Sequence, residues 1–306
     1  MRSCKVIIFL SVIILISVRS FGQNIPDTTK VFRIETKDGN AFTGNITRID
    51  SISLVFKTDK FGEIKIPLNE IKSRTEIKDF KVVNNALWLS NPQASRYFWA
   101  PNGYGLEKGS SYYQNIWVLY NQVSISASDN FSVGLGMIPL FLFAGAPSPL
   151  WLLPKISIPV VKDKLNIGAG ALLGAVLAEG SGAFGLLYET TTFGSRDRNL
   201  SIGFTYGFAG DSWMNRPIIN VSTMIRTGPK GYFISENYII PYKSETWDYD
   251  RPVEKYKSAV IISLGGRSII RNIGLDYSLW IPVGANLDSF VAIPFLGVTI
   301  PIGKKN

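Results

Sequence analysis

Leu200-Ser-Ile-Gly-Phe-Thr-Tyr-Gly-Phe208 alternates large apolar with small residues without a break. Successive side chains of a strand point to opposite faces, so Leu200, Ile202, Phe204, Tyr206 and Phe208 share one face and Ser201, Gly203, Thr205 and Gly207 the other. Ile273 to Ile281 repeats the pattern, with Ile273, Leu275, Tyr277, Leu279 and Ile281 together and Asp276 and Ser278 opposite. A soluble sheet carries charge on its outer face. Here the second face is Gly, Ser and Thr with scattered charges, as the interior of a membrane barrel would be. Segments of similar length run from Phe131 to Phe141, Leu165 to Leu177, Phe184 to Phe193, Ile218 to Arg226 and Ala259 to Arg267. Alternating segments of roughly ten residues between turns are the mark of a transmembrane β-barrel, whose closure leaves no backbone group unpaired in lipid. A soluble secreted β protein is the competing reading, because alternation alone does not say which face meets solvent. Membrane helices fit poorly: prolines at 139, 147, 149, 154 and 159 cut one candidate, and Leu165 to Leu177 is too short.

The connections sort into two kinds that alternate along the chain. Tight turns fall at Ala127–Asn130, Val161–Lys164, Ser195–Asn199, Thr227–Gly231 and Ser268–Asn272, and longer ones at Phe143–Pro149, Ala178–Gly182, Gly210–Arg216, Tyr242–Tyr256 and Gly284–Ser289. Barrels keep short turns on the periplasmic side and longer loops outside. Taking Arg96–Gly105 as the first strand and Tyr112–Ser126 as the second gives twelve strands, with ten the nearest alternative. The short-turn side carries ten basic residues against three acids, a sum of +7.

Residues 1–22 read as a secretory signal: Arg2 and Lys5, an apolar run from Val6 to Val18, then Ser20 and Gly22 at the −3 and −1 positions before Gln23. Cleavage would remove three basic residues and no acid, taking the formal charge from +9 to +6 (29 basic minus 23 acidic). An exported chain of modest positive charge is expected to meet outer-membrane lipid and lipopolysaccharide phosphates, not nucleic acid.

Residues 30–77 differ in character. Val31-Phe-Arg-Ile34, a turn at Asp38-Gly-Asn40, Phe42 to Ile46, a break at Asp50, Ile52 to Phe56 and Ile64-Lys-Ile66 make four or five short strands, enough for a small five-stranded barrel. The spacing of Phe32, Ile34, Gly39, Phe42, Gly44, Ile46, Ile49 and Asp50 resembles the first motif of Sm-like folds, related to SH3-like barrels. The second Sm motif, with its Arg-Gly pair for RNA, is replaced by Ile66-Pro67-Leu68. The resemblance implies the fold alone, and the module is expected to dock a periplasmic protein through residues 31–77. Residues 78–95 are expected to link it to a barrel spanning 96–303.

The stretches Arg96-Tyr-Phe-Trp-Ala-Pro101, Lys108-Gly-Ser-Ser-Tyr-Tyr-Gln-Asn115 and Asp129-Asn-Phe-Ser-Val-Gly-Leu-Gly136 resemble uncharacterised outer-membrane β-barrel proteins of Gram-negative bacteria. That likeness implies a fold and an outer-membrane location, without an activity. Phe290 to Ile302 carries Gly297, Ile300 and Ile302 at the spacing read by the barrel-assembly machinery, but Gly303-Lys-Lys-Asn306 follows where a terminal aromatic is usual.

The chain has no histidine and one cysteine, Cys4, ahead of the apolar run. Zinc sites, histidine triads and disulfides are thereby excluded or nearly so, and neither a metal nor a cofactor is implied. An outer-membrane enzyme lacking histidine is the alternative class. Lys155 and Ser157 share a strand face and are its one visible nucleophile pair. Alternation assigns Lys155, Glu189 and Asp276 to the lumen, joined by Glu236 if Phe233 and Ile239 face lipid. Such charges form a paired plug or line a narrow pore. Tyr97, Trp99, Tyr112, Trp117, Trp151, Trp213 and Trp280 read as the interfacial aromatic girdle. The functional expectation is a passive narrow pore, or a membrane-embedded anchor for the N-terminal module, without catalysis.

Overall fold

The computed structural model describes residues 30–58, 61–77, 80–83, 86–176, 182–248, 251–284 and 291–302, so the leader, Cys4 and the last four residues lie outside the described residues. The chain divides into two units, described in turn.

The first unit is an antiparallel sheet of β1 (Val31–Thr36), β2 (Ala41–Ile49), β3 (Ser53–Thr58), β4 (Gly62–Pro67) and β5 (Ile71–Ile77), ordered β4-β3-β2-β1-β5. Alternate residues converge on one core of Phe32, Ile34, Ile46, Leu54, Phe56 and Ile66, flanked by Phe42, Ile64 and Ile71. Gly44 is required where β2 bends: a Cβ there would sit 2.0 Å from the Lys57 carbonyl oxygen. Asp38 closes the first turn, accepting from the Asn40 amide at 3.2 Å and side chain at 2.7 Å. Asp50 closes the second, accepting from the amides of Ile52 at 3.1 Å and Ser53 at 2.7 Å. The expected ring closure is not seen among the described residues. A 3-10 turn, Leu68–Glu70, carries the chain from β4 to the far edge, so β4 and β5 stay edges.

The stretch expected to be a plain linker holds a hairpin of β6 (Phe80–Val83) and β7 (Ala86–Leu89).

The second unit is a closed antiparallel ring of twelve long strands. They are β8 (Ser111–Ile116), β9 (Tyr120–Ser128), β10 (Phe131–Met137), β11 (Pro149–Val161), β12 (Leu165–Val176), β13 (Ala183–Ser195) and β14 (Arg198–Ala209). After a two-residue β15 (Ser212–Trp213) come β16 (Ile218–Gly228), β17 (Gly231–Asp248), β18 (Arg251–Ile270), β19 (Ile273–Val283) and β20 (Ile293–Ile302). Neighbours in sequence pair throughout, and β20 closes on β8 from Gly297↔Ile116 to Ile302↔Ser111. No helix among the described residues is long and apolar enough to cross a membrane; the five-residue α1 (Pro139–Phe143) caps the end of β10.

Twelve strands are present, but three expectations about them are corrected. Arg96–Gly105 is not a strand. It contains a tight turn, Tyr97 N–H to the Ala100 carbonyl at 2.9 Å, and lies inside the ring. Tyr112–Ser126 is instead two strands, broken at Trp117 and Val118, whose φ angles are +50° and +64°. Two successive residues at positive φ make the tight hairpin turn that asparagine and glycine usually supply. The expected loop Tyr242–Tyr256 is ladder, Tyr242↔Lys257 through Asp248↔Arg251.

Direction along the ring puts the turns at 129–130, 162–164, 196–197, 229–230 and 271–272 at one end, with the start of β8 and the end of β20. This short-turn end faces a long-loop end holding 138–148 and 210–217.

Outward positions carry Ile125, Leu135, Ile158, Leu200, Phe204, Leu264 and Leu279, all exposed, with Leu135 at 58%. Inward positions carry Gln114, Gln122, Ser124, Ser132, Thr190, Ser201, Ser222, Ser263 and Thr299, all buried. An apolar surface all round a closed barrel is far larger than a soluble monomer exposes and is the surface that meets lipid. The chain is a transmembrane β-barrel protein preceded by a small β module.

Candidate functional site

Inside the ring, residues 91–105 run across the short-turn half of the lumen, and the wall charges hold them by their backbone. The Glu236 carboxylate on β17 accepts from three successive amides, those of Phe98 at 2.7 Å, Trp99 at 2.9 Å and Ala100 at 3.0 Å, and from the Tyr238 hydroxyl. Lys155 on β11 donates to the carbonyls of Ser95 at 2.9 Å and Tyr104 at 2.7 Å. Arg267 on β18 is clamped to Asp276 on β19 and donates onward to the carbonyls of Gln93 and Tyr97, both at 2.7 Å. These charges are almost fully buried. An inserted backbone offers them the compensation that burial demands, since each carbonyl or amide would otherwise itself be unpaired.

Side chains of the inner segment complete the stopper. The Tyr97 hydroxyl donates to Asn199 Oδ1 at 2.7 Å, the Gly103 amide to Thr192 Oγ1 at 2.7 Å, and the Tyr104 hydroxyl to the Gly194 carbonyl. Arg196 reaches the Gly105 carbonyl at 3.0 Å. Gly103 passes so close to β12 that a Cβ there would lie 2.4 Å from the Asn166 carbonyl oxygen. At the rim the Leu89 amide donates to the Pro229 carbonyl at 3.1 Å. Arg226 donates to the Leu89 carbonyl at 2.6 Å, pairs with Asp197 at 3.2 Å and covers the Trp88 ring at 4.7 Å.

Lys155, Glu236 and Asp276 thus face the lumen and meet on one segment, while Glu189 does not join them. Its partners across the ladders are Ala169 and the exposed Phe204, so it stands on the outward face at mid-strand, accepting from Thr191 Oγ1 at 2.8 Å. Thr190 and Thr192 are the inward residues of β13. The Lys155–Ser157 pair does not form either, because the ammonium is committed to carbonyls and Ser157 Oγ has no hydrogen-bond partner among the described residues.

The girdle assignment is corrected for most of its members. Tyr97 is fully buried in the inner segment and Trp99 follows it inward. Tyr112 and Trp151 are buried inward positions, and Trp280 shares the face of Asp276 and Ser278. Trp117 and Trp213 are exposed at the long-loop end. An outward aromatic row at the short-turn end is made by Phe131, Phe193 and Phe233. The inward rings do not scatter. Trp99 packs on Tyr120 and Tyr120 on Trp151, both at 4.7 Å, while Trp280, Phe98 and Trp117 surround Phe295 at 5.4–5.6 Å.

Of these rings Trp99, Trp117, Tyr120, Trp280 and Phe295 line a cavity of about 410 Å³ above the stopper, together with the aliphatic Leu153, Leu172, Leu186, Ile218 and Ile240 and the polar Gln122, Ser124, Thr190, Thr205 and Asn220. Arg96 lines it from below. Its guanidinium donates to Gln114 Oε1 at 2.7 Å, faces the Tyr112 ring at 5.9 Å and has no carboxylate partner among the described residues.

No protein-family model matches the chain, and no curated protein matches it. Among solved structures the chain is similar to OprD of Pseudomonas aeruginosa, at 9% identity over 89% of this chain and 93% of that one, with a TM-score of 0.37. It is also similar to OmpT, an outer membrane protein of Vibrio cholerae. The in-vitro folded form aligns at 11% identity over 89% and 95% of the two chains with a TM-score of 0.33, and the outer-membrane expressed form at 10% over 89% and 94% with 0.31. Likenesses this distant say nothing about what the barrel does.

Proposed function

We propose that this is a bacterial outer-membrane barrel closed at its short-turn end by its own residues 91–105, serving as a membrane anchor for the 31–77 module instead of an open pore. The observation that carries the reading is Glu236, whose carboxylate holds three successive amides of the inner segment across the lumen. A passive pore needs a water-filled path, and the inward charges here are spent on a backbone. The short turns are periplasmic in this reading. The chain joins the ring at that end through Trp88 and Leu89, which suits a module that works in the periplasm. Outer-membrane lipid and lipopolysaccharide surround the barrel, the assembly machinery reads its last strand, and a periplasmic protein is the partner of residues 31–77.

Planar-bilayer recording tests the reading. The folded wild-type protein is expected to give no conductance steps, and the double substitution Glu236→Gln with Lys155→Met, which releases the inner segment on two sides, is expected to produce them. Regular steps from the wild-type protein would sink the anchor reading and restore the pore.

A further inference from the structure

We propose that the aromatic cavity above the stopper binds an amphipathic monocarboxylate, its acid group taken by Arg96 and its apolar body lying between Trp99, Trp280 and Phe295. Three observations converge. The cavity, about 410 Å³, falls within the ~300–1,000 Å³ common for small-molecule sites. Its walls are mostly aromatic and aliphatic, offering an apolar guest extensive contact, with polar groups such as Gln122, Thr205 and Asn220 in the minority. Its floor is cationic. Arg96 is 91% buried yet bonded only to neutral partners, the Gln114 amide oxygen and the Tyr120 hydroxyl, with no carboxylate among the described residues, and Lys155 beside it uses two of its three donors on carbonyls, leaving one over.

Charge balance points the same way. Between the rim turns, the inward cations Arg96, Lys155 and Arg267 stand against Glu236 and Asp276. Glu236 is filled by three amides and a hydroxyl, and Asp276 is committed to Arg267. One positive charge is left at the cavity floor without a counter-ion, where low dielectric makes an anion worth most. A carboxylate matches a guanidinium in a planar, two-point fashion. A single acid group is the match for one surplus charge. A free inorganic anion would satisfy the floor and leave the rings above it wet.

The ligand proposal rests on the closed-lumen reading in one respect, that the stopper supplies Arg96. The test is a titration of the full folded chain in lipid nanodiscs with octanoate and with phenylpropionate. The readouts are quenching of tryptophan fluorescence and 1:1 mass by native mass spectrometry. Octanol and octylammonium are the matched neutral and cationic probes, and the two acids separate an alkyl from an aromatic body. Saturable binding of at least one acid is expected, about tenfold or more tighter than octanol, with octylammonium not binding. Arg96→Gln is expected to abolish the preference for acid over alcohol. If that variant fails to keep its heat-resistant folded band on gels, the acid-to-alcohol ratio on wild-type protein decides alone. Equal affinity for octanoate and octanol, or an unchanged ratio in folded Arg96→Gln, overturns the proposal. Bilayer silence recorded on the same preparation tests the closed lumen separately, so either reading can fail while the other stands.

Discussion

The guanidinium of Arg267 and the carboxylate of Asp276 lie directly opposite one another on β18 and β19, Nε to Oδ1 at 2.6 Å and Nη2 to Oδ2 at 3.0 Å, both buried inside the ring. The pair is a relay as well as a bridge, because the same guanidinium holds the Gln93 and Tyr97 carbonyls of the inner segment. Asp276→Ala leaves a buried cation with its neutral acceptors only. Orphaning of this kind costs about 3–5 kcal/mol, and the remaining carbonyls place the expected loss at the low end. The heat-resistant folded band on gels should convert at a clearly lower temperature. The double change Arg267→Met with Asp276→Ala should recover part of the loss, since it removes the uncompensated charge. Full thermal stability of the single variant would count against the stopper.

Gly103→Ala asks a different question of the same segment. Its Cβ would meet the Asn166 carbonyl at 2.4 Å, backbone against backbone, so the inner segment must shift away from β12. Overpacking of this kind costs about 1–3 kcal/mol. Thermal unfolding should begin earlier, and protease cleavage within 91–105 should appear in protein whose barrel is still folded.

Val118 offers a gain. A β-branched residue at φ +64° is strained, and its side chain is 75% exposed, so nothing is lost in packing. Asparagine tolerates this conformation, and Val118→Asn should stabilise the barrel by about 1 kcal/mol. A midpoint of chemical unfolding that does not rise would remove strain from the account of this turn.

In the small module, the Ser53 hydroxyl, followed by the amides of Ile52 and Ser53, holds the Asp50 carboxyl below the ordinary aspartate range. A carboxyl with a depressed folded-state pKa adds stability above its unfolded pKa of about 3.9, and the contribution fades as pH falls through the folded value. Amide protection at Ile52 and Ser53, corrected for intrinsic exchange, should therefore weaken on acidification below about pH 4. In Asp50→Ala it should be low at every pH and show no such step.

Much of this was legible in period two. The total of twelve strands results from two misassignments that cancel, Arg96–Gly105 counted as a strand and β8 joined to β9. Ten of the strands, the apolar outer face and the inward Lys155, Glu236 and Asp276 follow from alternation. So would the inward tryptophans have done: Trp151 stands four residues from Lys155 and Trp280 four from Asp276, an even spacing that puts each pair on one face. Aromatics near strand ends are also what a membrane girdle requires, so the girdle pattern masks this parity. Glu189 was misplaced because β13 carries threonine on both faces, so small polar side chains could not tell inside from outside there. Trp117-Val118 contains neither glycine nor asparagine, and the hairpin it forms gave no local warning. Arg96–Gly105 mimics a strand through its aromatic run. The turn formers around it, Asn91-Pro92 before and Pro101-Asn102-Gly103 within, were the sign that the chain folds back on itself.

The clamp at the rim has a mechanical meaning. Trp88 and Leu89 are fastened by Arg226 and the Pro229 carbonyl immediately before the chain dips into the lumen. Tension on anything N-terminal to Trp88 is taken up there, at a guanidinium that is itself braced by Asp197, and is shed into the wall at β16. Residues 91–105 lie downstream of that fastening, shielded from the pull. A pull on the chain ahead of Trp88 therefore loads the barrel wall before it reaches the seal inside.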